Sequence, residues 1–98
     1  MSKIRYGKNG QVVFYNEKEE EEAINYILTS SNVEMVHENN QDQGAWASEE
    51  RIHFKNGDDI PECLKRNMTA GNGSLYGRIN CKEFCDKINE IKNQRLND

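Results

Sequence analysis

What this 98-residue sequence lacks narrows its class before any motif is weighed. No stretch approaches the roughly 20 consecutive apolar residues of a membrane-spanning helix. The opening Met1-Ser2-Lys3-Ile4-Arg5-Tyr6 also has no apolar core of the kind a secretory signal needs, so a cytoplasmic location with no membrane attachment is expected. Cysteine is scarce and odd in number. Cys63, Cys81 and Cys85 cannot all pair with one another, and without a secretory signal free thiols are expected in a reducing compartment. The sequons at Asn67 and Asn72 are idle on the same argument. There is one proline, Pro61, one tryptophan, Trp46, and no repeat, linker or low-complexity tract beyond the run Glu19-Glu20-Glu21-Glu22.

Catalytic and cofactor signatures are missing too. Gly71-Asn72-Gly73-Ser74 has the composition of a phosphate cradle, but it follows a helical pattern and opens a strand, the reverse of a phosphate loop. No pair of cysteines has the two-residue spacing usual in zinc sites.

What is present is a charge separation. Thirteen of the seventeen carboxylates fall between Glu17 and Glu62, opposed only by Lys18, Arg51 and Lys55, a local charge of −10 inside a total of −4. The segments before and after each carry +3. A field of this kind selects partners by sign and by ionic strength without any active site. The composition is 31% charged and 35% hydrophobic with mean hydropathy −1.00, polar for a globular chain, yet its apolar residues recur periodically. One domain spanning 1–98 with a modest core is expected. Asparagine is abundant, thirteen residues, as in A+T-rich bacterial genomes and their phages and mobile elements.

Three helices are predicted from a capping residue followed three positions later by Glu, whose side chain would return to the cap's own amide. The pairs are Asn16/Glu19, Asp59/Glu62 and Asn80/Glu83, and the apolar stripes that follow place helices at about 17–29, 60–69 and 81–95. Strands are predicted at 4–6, 12–15, 33–38, 51–55 and 75–79, with Asn9-Gly10, Asn56-Gly57 and Asn72-Gly73 supplying positive-φ turns. Strands 33–38 and 51–55 would pair antiparallel across a loop at 39–49 that carries Trp46. The order ββαββαβα predicts an α+β fold: one antiparallel-dominated sheet of about five strands with helices packed on one face.

The candidate surface follows from the charge. Glu19, Glu20, Glu21 and Glu22, together with Glu38, Asp42, Glu49 and Glu50, would form an acidic face, with Trp46 as an aromatic anchor. Such a face fits the basic surface of a larger protein, for example a nucleic-acid-handling enzyme whose groove expects phosphates, and it disfavours direct contact with nucleic acid. The chain then reads as a non-enzymatic inhibitor or regulator, with no cofactor. A second reading is a small-molecule, nucleotide-like binder using Tyr76, Arg78 and the loop glycines Gly71 and Gly73, with homo-oligomers forming the pocket. A third is a metal-dependent hydrolase centred on His37 and His53, whose strands should pair.

Overall fold

The elements grow from local signals that are easy to trace. The computed structural model describes residues 3–8, 10–40, 47–71, 73 and 75–97, with the backbone alone for 37–40 and 47–49. In chain order these are β1 (Ile4–Tyr6), β2 (Val12–Phe14), α1 (Glu17–Thr29), β3 (Val33–Asn40), β4 (Ala47–Phe54), α2 (Glu62–Lys65), β5 (Thr69–Ala70), β6 (Gly77–Asn80) and α3 (Lys82–Leu96).

Helix α1 starts where the capping pair places it. The Asn16 side chain accepts from the Glu19 amide at 2.9 Å, and the glutamate carboxylate returns to the Tyr15 amide at 2.9 Å, one residue before the cap. The other two pairs do not cap. Asp59 takes a left-handed backbone (φ 62°) ahead of Pro61, which precedes a helix shorter than the expected 60–69. Asn80 is the last residue of β6, and Cys81 stands at the start of α3, its thiol on the Glu83 carboxylate at 3.6 Å.

The fold is α+β with two antiparallel sheets, where the sequence predicted one. β1 and β2 form a ribbon, and the remaining strands form a sheet of order β3-β4-β6-β5. The reason for the split is visible at Val13. Its amide donates to Asn67 Oδ1 at 2.9 Å and its carbonyl accepts from Asn67 Nδ2 at 2.9 Å, so a side chain occupies the edge another strand would have used. The ribbon then docks through its rings, with Tyr6 and Phe14 at 5.2 and 5.5 Å from Phe84.

In the larger sheet, Ile52, Phe54 and Ile79 share the buried face. The apolar stripe of α3, Phe84, Cys85 and Ile88, packs against them, and Ala23, Ile24 and Ile27 of α1 complete the core with Leu64. Each large side chain removed from water there contributes about 1.5–3 kcal/mol. The opposite face carries Glu34, Arg51, His53 and Arg78, as the alternation along β4 predicts. Strands β3 and β4 run longer than expected, to Asn40 and from Ala47, so the expected loop 39–49 shrinks to a connection whose residues 41–46 lie outside those described. Strand β5, two residues long, has too little sequence for its alternation to be read.

Two turn glycines act as predicted and one does not. Gly10 and Gly73 hold φ of 63° and 67°. Gly57 has no positive φ. A β-carbon there would stand 2.5 Å from the half-exposed Tyr76 ring, so a side chain at this position would displace that ring and not strain the turn.

Candidate functional site

The central carboxylates do not share one environment. In α1 the four-glutamate run divides into two structural and two exposed positions, because a helix turns each successive side chain by about 100°. Glu19 accepts from the Arg66 guanidinium at 2.7 Å as well as from Tyr15, and Arg66 lies over the Tyr15 ring at 4.2 Å. The amide bond from Tyr15, and after it the bond from Arg66, hold the Glu19 carboxyl below its usual range. Glu20 accepts the Tyr6 hydroxyl at 2.5 Å; burial, reinforced by that carboxylate, raises the Tyr6 pKa. Glu21 and Glu22 are exposed.

A second acidic group lies on the β3–β4 pair. β6 pairs with β4 only from Arg51 to Phe54, so, among the described residues, 37–40 and 47–50 pair with each other alone and form a two-stranded ribbon beyond the sheet. The register sets Glu38 directly opposite Glu49 and His37 opposite Glu50. Two acidic residues thus occupy facing register positions, with Arg51 two residues from Glu49 along β4. Glu50 is partly buried near the first turn of α3, where Lys82 and Asp86 pair at 2.8 Å. Burial chiefly, with Glu50 nearby, pushes the Cys85 thiol up to about 12. Asp42 and Trp46 lie outside the described residues.

The residues of the nucleotide-like reading come together in the β5–β6 hairpin. Gly71 donates its amide to the Tyr76 carbonyl at 3.4 Å, and its α-carbon passes so near the Leu75 backbone that a side chain there would collide with it. Gly73 tops the connection, and Tyr76 is 47% exposed. Arg78 stands opposite His53, which on its other side faces Glu34. His53 Nε2 and Arg78 Nε are buried without a hydrogen-bond partner among the described residues. The sequence missed this juxtaposition, since 25 positions separate the two; the Arg51/His53/Lys55 alternation was its only trace.

The two histidines are not brought together. His37 pairs with Glu50, three residues along β4 from His53, about 10 Å of strand. Among the described residues no group of three His, Cys, Asp or Glu side chains is placed to hold a metal ion. Cys63, Cys81 and Cys85 are separately buried and unpaired. Burial raises the pKa of all three thiols, which makes them poor nucleophiles. No helix among the described residues is long and apolar enough to cross a membrane. Comparison of the chain with known protein families, with curated proteins and with solved structures finds no match.

Proposed function

We propose that the chain is a non-enzymatic interaction protein that docks acidic surface on the basic groove of a larger, nucleic-acid-handling protein, as an inhibitor or regulator of phage or mobile-element type. One observation carries this reading: among the described residues the β3–β4 ribbon extends past the strands that pair with β6, and its register places the acidic positions 38 and 49 opposite each other, a concentration of formal negative charge that suits a cationic partner. Glu21 and Glu22 add exposed charge on α1. Glu19 and Glu20 support the fold, so their contribution to docking is indirect. The whole run therefore reduces, for docking, to the ribbon and the outer α1 glutamates.

The test is capture of a basic, nucleic-acid-handling protein from bacterial lysate by immobilised chain at low and high salt, with a Glu38→Gln/Glu49→Gln variant beside it. Capture that weakens with salt and with neutralisation supports the reading. Capture indifferent to both, or none, removes it.

A second reading is favoured by the Arg78–His53 neighbours beside the half-exposed Tyr76 ring, which suit a nucleotide-like anion. A nucleotide at a hundred times its Kd adds about 2.7 kcal/mol of apparent stability, readable as a thermal shift. A flat melting temperature across a nucleotide panel retires it.

A further inference from the structure

Among the described residues strand β3 is an edge of the four-stranded sheet, and over its eight residues it pairs with β4 alone. Which of its backbone groups face outward follows from one bond. The Lys55 amide donates to the Asn32 carbonyl at 3.0 Å, extending the β3–β4 register by one pair, so residue 32 and the even positions after it direct their amides and carbonyls toward β4. Val33, Met35, His37 and Asn39 therefore present theirs to the side that no described strand occupies. Chains with such an edge usually blunt it with proline, lysine, a bulge or a covering segment. This strand, Val-Glu-Met-Val-His-Glu-Asn-Asn, has no proline or lysine, and its register with β4 runs unbroken. Beside it runs an open groove of about 590 Å³, lined on its apolar side by Ile27, Leu28, Val33 and Met35.

We infer that β3 is the pairing edge of a homodimer, in which two copies join antiparallel through Met35 to make one eight-stranded sheet. The occupant is argued from symmetry and charge. A two-fold axis normal to the sheet keeps the helix-covered face of both copies on the same side, and residues that face each other must then share a face, so the axis falls on a residue and not between two. Centred on Met35, it sets Val33 against the second copy's His37 and Glu34 against its Val36. Met35 meets its own equivalent, and three facing pairs of outward backbone groups exchange hydrogen bonds. Moving the axis to Val36 would set Glu34 against the second copy's Glu38, a like-charge pair. The Met35 centre avoids that, and it brings the two grooves together with the paired Met35 side chains, flexible and apolar, packed between them. The acidic ribbons would project from opposite ends of the dimer, but the pairing does not depend on what they bind.

The register makes the test specific. Directly opposed, hydrogen-bonded residues have α-carbons about 5.5 Å apart, within the roughly 4.4–6.8 Å that a disulfide spans. Under mild oxidation Met35→Cys should convert most of the chain to covalent dimer, while Val36→Cys, offset from its own equivalent, should not; the three native thiols are buried and give little background. His37→Pro removes an outward amide without touching the β3–β4 bonds, and should halve the mass seen by sedimentation while the far-ultraviolet spectrum is kept. Wild-type chain that sediments as a monomer at millimolar concentration overturns the inference, as does a dimer that survives His37→Pro or fails to cross-link at Met35→Cys.

Discussion

Replacing Asn67 tests whether a side chain can stand in for a strand. Its amide group accepts from the Val13 amide and donates to the carbonyls of Val13 and Cys63, at 2.9, 2.9 and 2.7 Å. It thereby ties the β1–β2 ribbon to α2. Each such bond contributes about 1 kcal/mol net, so Asn67→Ala should cost about 3 kcal/mol. For a domain with roughly 5–15 kcal/mol of stability that is a large share. At roughly 4–8 °C per kcal/mol, melting followed by circular dichroism should fall by roughly 12–24 °C. Asn67→Asp sharpens the test. It keeps the acceptor for Val13 but aims a carboxylate at two carbonyl oxygens, which raises its folded pKa above its unfolded one. The folded state then binds the extra proton, so this variant should gain stability as pH falls from 7 toward about 4, relative to wild type. A drop of less than about 2 °C for Asn67→Ala, or an aspartate variant with the wild-type pH profile, would refute the argument that this side chain closes the ribbon's edge.

Further expectations concern the cap, the ion pair, the thiols and one close approach. Asn16→Ala removes the acceptor for the Glu19 amide and should destabilise the chain by about 1 kcal/mol in urea titration, whereas Asn80→Ala, which removes no cap, should be near neutral. Because the folded Glu19 carboxyl is held low, its contribution is present above the unfolded carboxyl range and is lost as pH falls through the folded value; acid unfolding of Glu19→Gln should therefore depend less on pH below about 4.3 than that of wild type. Native chain should react slowly with a thiol reagent at neutral pH and show three reactive thiols in denaturant, since burial raises all three pKa values; three fast thiols in the native chain would contradict the packing. Gly71→Ala places a β-carbon 2.6 Å from the Leu75 carbonyl oxygen and should cost more stability by calorimetry than Gly73→Ala, where a side chain meets open space and only the positive φ opposes it.

Much of the secondary structure was legible because its signals are local. The Asn16 cap, the α1 and α3 stripes and the Ile52/Phe54 alternation each act within a few residues, and the structure places α1 at 17–29 and α3 within a residue of its predicted ends. The misses share a cause. Asp59/Glu62 and Asn80/Glu83 fit the capping pattern as strings, but Pro61 and the end of β6 claim those backbones first. Asparagine richness, read as genome composition, turns out to serve tertiary bridges: Asn32 joins Asn56 through two bonds of 2.9 Å, and Asn67 holds Val13. A polar side chain that imitates a peptide group leaves no periodic trace.

The candidate surface divides in the same way. Composition alone determined that the middle of the chain is anionic and its flanks cationic, since charge is counted, not folded. Where each carboxylate is spent was decided by contacts between distant segments: Arg66 reaches Glu19 across 47 positions, Tyr6 takes Glu20, and the β3–β4 register sets Glu38 against Glu49. Sequence determined the helices and most strands, because capping and hydrophobic alternation are properties of neighbours. Only the tertiary structure decided which strands share a sheet, that β3 is left as an edge and that Arg78 lies beside His53, because pairing is selected by the packing of the whole core and has no energy until the chain has closed on itself.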